Sequence, residues 1–233
     1  RDIGASRYER MFAILVDDAA ADDQPALGRI GLPGFIERGG TYGTQAFYGW
    51  FNYGDIAWAD GYCSLHYDWP LVMLLGFLRS GDPRFFARGH AMAQHRRDID
   101  QDHGRPGTHK LSGGQFYQKG HWHGNYYFPT PSHTWLGGPI IHWLMTGDEG
   151  SLEAARLGRD FLARQRLETW DGDWGARIPG WTADNFLWLW WAFGDPKDLS
   201  RAEAILANFE RLETEKYGAR GFIINEQYKP RSE

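Results

Sequence analysis

Apolar positions recur at helical spacing over most of the second half of the chain. In W-P-L-V-M-L-L-G-F-L (69–78), Trp69, Met73, Leu74 and Phe77 fall on one side of a helix, and Pro70 suits its first turn. Ser80-Gly81-Asp82-Pro83 then supplies a C-terminal glycine, an N-cap aspartate and a proline at N1. The next helix, 84–99, carries Phe86, His90, Ala93 and Arg97 along one side. The same punctuation returns at Thr146-Gly147-Asp148 and at Phe193-Gly194-Asp195-Pro196. Before each Gly-Asp lies an apolar helix (71–78, 140–145, 186–192), and after each an amphipathic one (84–99, 151–167, 199–212). Upstream, 6–21 reads as a further helix, with Ser6 as N-cap and Glu9 completing a capping box. Residues 22–50, rich in Gly and Pro, form an irregular connection, and 49–62 a loop dense in aromatics and carboxylates. The expected fold class is all-α, built from repeated helical hairpins in a single domain over 1–233.

One stretch breaks the helical pattern. Y-Q-K-G-H-W-H-G-N-Y-Y-F-P-T-P-S-H-T-W (117–135) has no 3.6-residue period. As extended chain it sends Tyr117, Lys119, His121, His123, Asn125 and Tyr127 to one face, and Gly120, Trp122, Gly124, Tyr126 and Phe128 to the other. Acid–base and hydrogen-bonding groups are thereby separated from small and aromatic ones. The position of this stretch is informative. Copies two and three of the Gly-Asp turn are 47 residues apart, copies one and two 66, and the extra 19 fall between Asp102 and Pro131. A tryptophan precedes the turn glycine by twelve or thirteen residues in each copy (Trp69, Trp135, Trp181). The histidine-rich loop is thus an insertion in a repeating scaffold, where chemistry tends to sit.

Composition narrows the partners. A net charge of −5 with no basic run leaves no electrostatic footprint for DNA or RNA. Cys63 is alone, so neither a disulfide framework nor a cysteine-rich metal site is expected. No apolar run reaches the roughly 18 residues a membrane helix needs, and no membrane partner is expected. Aromatics make up 16% of the chain, with twelve Trp, residues whose flat apolar faces and polar tips suit sugar platforms and large helical cores alike. The chain starts at Arg1 without a signal-like segment and is expected to be processed or partial.

Apolar helix, Gly-Asp turn, amphipathic helix and aromatic loops together resemble the α/α-toroid superfamily of glycan-processing enzymes. Within it the chain looks most like the helical domain of exo-rhamnogalacturonan-lyase-type proteins. The residues that carry the likeness are F-N-Y-G-D-I-A-W (51–58), H-Y-D-W-P (66–70), R-S-G-D-P-R-F-F (79–86), H-R-R-D-I-D (95–100), K-G-H-W-H-G-N (119–125) and S-H-T-W (132–135). The resemblance implies an inner ring of apolar helices, an outer ring of amphipathic ones and substrate at one mouth. It also implies an extracellular or periplasmic location. A full toroid has six hairpins; about three and a half are present here, an incomplete ring that further domains or an oligomeric partner would close.

The favoured activity is β-elimination on uronate-containing polysaccharides or oligosaccharides. Imidazole titrates near neutrality, so His121 and His123 can take or give a proton. Lys119 and Asn125 are candidates for holding the substrate carboxylate; a histidine or Tyr127 would be the base, and a second histidine or tyrosine the acid. His66 and Asp68 stand at the entry to an inner-type helix and complete the catalytic candidates, with His133 in the matching place of the second copy. Asn52, Asp55, Trp58, Trp122, Tyr126, His133 and Trp135 are candidate substrate-binding residues, and Trp181 a further stacking candidate. No cofactor is expected; H-x-H at 121–123 keeps a divalent metal as a minority alternative, with Asp100, Asp102, His103 or His133 as further ligands. Glycoside hydrolysis is the main alternative reaction, needing two carboxylates across a groove, for which Asp55, Asp68 and Asp184 are the candidates. A non-catalytic glycan-binding module is the third reading. Asp98, Asp100 and Asp102 are read as a solvated helix end, His90 and His95 as structural, and Trp188, Trp190 and Trp191 as packing within an apolar helix.

Overall fold

A computed structural model describes residues 67–104, 110–115, 129–171, 175–216 and 218, together with the backbone of 57–58 and 61–62. The described region is all-α. Its helices are α1 (Trp69–Ser80), α2 (Pro83–His95), α3 (Gly137–Thr146), α4 (Glu149–Arg164), α5 (Arg177–Phe193) and α6 (Pro196–Glu215). A two-residue antiparallel ladder pairs β1 (Ala57–Trp58) with β2 (Gly61–Tyr62). The expected helix over 6–21 lies outside the described residues.

The helices form three pairs joined by one kind of turn. Gly81, Gly147 and Gly194 cap α1, α3 and α5 at φ of 72°, 72° and 68°, a left-handed conformation that a side chain would strain. Their N–H groups donate to the carbonyls of Phe77, Trp143 and Trp190 at 2.7, 2.7 and 2.8 Å. The aspartate that follows turns extended and caps the next helix. Asp82, Asp148 and Asp195 accept from the backbone N–H of Arg84, Gly150 and Lys197, each at 2.9 Å.

Packing arranges the pairs in two rows. α3 lies between α1 and α5 and touches both, whereas α2, α4 and α6 each back onto their own partner. The largest core joins Leu136 and Ile140, Ala155, Phe161 and Leu162, Ala183, Phe186 and Leu189, and Ala202 and Ile205. A smaller cluster, Met73, Phe85 and Met92, fills the first pair. Arginines fasten each pair to the next turn. Arg97 Nη1 donates to Asp148 Oδ2 at 2.7 Å, and Arg159 reaches Asp195 and, at 2.8 Å, Asp198.

Two boundaries differ from the sequence pattern. The helix expected over 84–99 ends at His95 and opens into a π turn, Arg96–Asp100, closed by Gln101 N–H on Arg96 O at 3.1 Å. Phe85 rather than Phe86 then faces the core, and the helix stops before Asp102, so Asp98 and Asp102 share no helical face. The helix expected over 186–192 begins at Arg177, because Thr182 and Asn185 satisfy their side chains internally: Thr182 donates to Ile178 O at 2.9 Å and Asn185 to Trp181 O at 2.9 Å. Trp181 therefore sits within α5. Trp190 and Trp191, expected as packing, are exposed at 41% and 60%.

Candidate functional site

The starts of α1 and α3 meet beside the middle of α5, and Asp68 ties the two helix starts together. As N-cap of α1 its Oδ1 accepts from Leu71 N–H at 3.3 Å, while Oδ2 accepts from Gly138 N–H at the start of α3 at 2.8 Å. The buried Arg96 guanidinium donates to Oδ1 at 3.3 Å and to Tyr67 O at 3.1 Å. The π turn places this arginine beneath the cap. Burial pushes the Asp68 carboxyl up, against the pull of Arg96 and of the Gly138 and Leu71 N–H groups. Backbone and carboxylate approach so closely that a methyl group on residue 138 would stand 2.5 Å from Asp68 Oδ1.

α5 brings a second carboxyl to this end. Asp184 keeps exposed surface, yet enclosure by neighbouring atoms, and then the charge of Asp68, push its carboxyl up; a hydrogen bond from Trp188 acts the other way. Trp188 also lies over the start of α3, with its Cε2 3.3 Å from where a methyl on Gly137 would be. Arg177, Trp181, Asp184, Trp188 and Trp191 follow one another at i, i+4, i+7, i+11 and i+14, one stripe of α5. Cation, ring, carboxyl and two more rings therefore succeed each other along it.

The segment leading into α3 is held against α5 by Asn185. Its Nδ2 donates to Thr134 O at 2.7 Å and its Oδ1 accepts from Leu136 N–H at 2.8 Å. Trp135 is thereby buried edge-on against Trp181, with ring centroids 4.9 Å apart. Just before it, the turn Pro131–His133 buries His133, whose Nε2 lies 3.2 Å from Arg177 Nη2 and whose Nδ1 lies 2.7 Å from Ser132 Oγ.

The described ends of the insertion are clamped together. Gln115 Nε2 donates to Trp135 O, and Trp135 N–H donates to Gln115 Oε1, both at 2.9 Å; Gln115 N–H adds a bond to Thr134 Oγ1 at 3.1 Å. Gln115 in turn bridges Gln101, whose Nε2 donates to Gly113 O and Ala154 O at 2.9 Å each. Residues 116–128 are thus flanked by segments fixed beside His133 and Trp135.

Of the residues singled out in the sequence, Asp68, His133, Trp135, Trp181 and Asp184 are brought to this one end. Asp68 and His133 are buried, with their polar atoms engaged; Asp184 and Trp181 carry the exposed chemistry. Trp58 is described in its backbone only, as part of β1. Asn52, Asp55, His66, Lys119, His121, Trp122, His123, Asn125, Tyr126 and Tyr127 lie outside the described residues. Sequence reasoning missed Gln115, Arg96, Gly138, Arg177 and Asn185. Only Arg177 left a signal, as the first member of the i, i+4, i+7 series with Trp181 and Asp184.

A second polar cluster lies away from this end. His90 Nδ1 and His142 Nε2 are 2.7 Å apart, and His142 Nδ1 is 2.7 Å from Ser151 Oγ, a relay across α2, α3 and α4. Burial, then His90 and Arg97, pushes the His142 imidazole down to about 4, against the attraction of Asp148. Asp100 is buried 3.7 Å from His95, and Asp98 pairs with Arg97 at 2.6 Å. Among the described residues no three His, Cys, Asp or Glu side chains gather as a metal site, and no helix is long and apolar enough to cross a membrane. No protein-family model, curated protein or solved structure matches the chain.

Proposed function

We propose that the chain is a glycan-processing enzyme of the α/α-toroid kind. Its three helix pairs form an arc of repeated hairpins, and it acts where α1 and α3 begin, beside the middle of α5. The carrying observation is Asp184: a partly exposed carboxyl raised by enclosure and by Asp68, placed between Trp181 and Trp188 along one helix face. Breaking a glycosidic linkage expels an alkoxide, which departs readily only as it gains a proton. A carboxyl that holds its proton more tightly than usual is suited to give that proton, and the indole faces beside it are suited to hold sugar rings.

β-Elimination is the favoured reaction. It needs, besides Asp184, a base for the proton alpha to the carboxylate, and His121, His123 and Tyr127 are the candidates. Lys119 and Asn125 would hold the carboxylate. Glycoside hydrolysis is the second reading, with Asp184 as its acid and Asp55 as the candidate for the second carboxyl, since both oxygens of Asp68 are buried and hydrogen-bonded. Incubation with uronate-rich glycans separates the two, because elimination alone creates a conjugated double bond with ultraviolet absorbance. New reducing ends without that absorbance would replace elimination by hydrolysis. Binding without turnover across a broad glycan panel would reduce the chain to a recognition module.

A further inference from the structure

Trp191 is the most exposed large apolar side chain among the described residues, although it stands near the end of a well-packed helix. Phe186 and Leu189 of the same helix supply its packing and are buried. The place of Trp191 is nevertheless fixed. Trp188, one turn earlier, donates a hydrogen bond to Asp184 and rests against the start of α3, where Gly137 has no side chain to displace it. Trp191 stands perpendicular to this anchored ring, with planes at 88° and centroids 5.6 Å apart. The two indoles form a corner, one wall held by the fold and the other open to solvent.

Helical spacing aligns this corner with the carboxyl. Trp181 lies about 5 Å before Asp184 along the axis, and Trp188 and Trp191 about 6 and 10 Å after it, all on one stripe. A purely apolar partner laid on that stripe would bury the Asp184 carboxyl at a cost. A sugar ring instead offers the face of its C–H bonds to the indoles and its hydroxyls to the carboxyl. We propose that the glycan runs along α5 with the linkage to be cleaved at Asp184, and that Trp191, cornered with Trp188, is a distal subsite for the sugars beyond that linkage. Trp181 holds the ring on the other side. The assignment rests on the glycan-processing reading above. It adds a preference for length: a short substrate reaches Trp181 and Trp188, and only a longer one continues onto Trp191.

The test is calorimetric titration of the full chain with a disaccharide and a hexasaccharide of the same uronate-rich glycan. The hexasaccharide is expected to bind about threefold to tenfold more tightly, the size of one further aromatic contact. W191A should erase that gain while leaving the disaccharide affinity and the melting temperature unchanged, and W191F should keep part of it. Equal binding of the two lengths by the wild type, or a gain that survives in W191A, overturns the subsite while leaving the glycan reading standing. Sedimentation velocity adds a second check. A wild type that self-associates, beside a monomeric W191A with unaltered glycan affinities, makes Trp191 a contact between copies and overturns the subsite as well. Binding of neither length overturns the glycan reading and the subsite with it.

Discussion

Gln115 and Trp135 exchange two hydrogen bonds across the base of the insertion, side-chain amide to backbone in both directions at 2.9 Å. Twenty residues of chain separate them, yet the pair imitates a step of β-ladder. Both groups are buried, so nothing from solvent replaces the bonds if the amide is lost. Gln115→Leu should therefore cost about 3 kcal/mol, read as a lowered urea midpoint. Gln115→Glu, which sets a buried carboxylate oxygen against Trp135 O, should cost at least as much.

Gly138 separates Asp68 from the start of α3 by less than a methyl group. An added Cβ would meet Asp68 Oδ1 at 2.5 Å and Pro70 Cβ at 2.9 Å, neither on a flexible tip. Gly138→Ala is expected to cost about 2–3 kcal/mol and to break the bond between Asp68 and the residue 138 N–H. Thermal unfolding measures the first effect. Loss of slow hydrogen exchange at that amide measures the second.

Asp184 must be protonated to act as the acid. Its carboxyl is raised, so the acid sets the alkaline limb, and activity should fall as pH rises through that raised value. Asp184→Asn should lower turnover about 10²–10⁴-fold with the fold intact and remove the alkaline limb of the pH profile. Unchanged turnover in this variant would remove Asp184 from the mechanism.

His142 titrates oppositely. Its imidazole is fully buried and lowered from 6.5 to about 4, so the unfolded chain takes up the proton first as pH falls. Stability is expected to be full above pH 6.5 and to decline by about 3 kcal/mol on the way to pH 4. Urea unfolding across that window checks it, and His142→Gln should flatten the profile there.

How much of this was legible in the sequence depends on range. The Gly-Asp turns are local devices: a left-handed glycine, then an aspartate whose side chain reaches an N–H two residues on, and both were readable at every copy. The early start of α5 was hidden because Thr182 and Asn185 look like helix interruptions until their hydrogen bonds are seen. The site was half visible. Asp68 reads as either a cap or a catalyst, and its bond to a backbone seventy residues away decides what it does structurally. Arg177 and Asn185 act through partners 44 and 51 residues distant, which no local pattern announces.

The arginine joints give the three helix pairs a direction. Arg97, just past α2, is secured by the turn aspartate of the second pair, and Arg159 of α4 by Asp195 and Asp198 of the third. Each fastening thus waits on residues that lie later in the chain. On the ribosome, where the N-terminal side emerges first, the end of one pair stays unlatched until the following turn has been made. Released fragments ending at residue 171 should leave α4 open to protease, and those extended past residue 198 should protect it. The three pairs are locked one pair behind the order in which they are built.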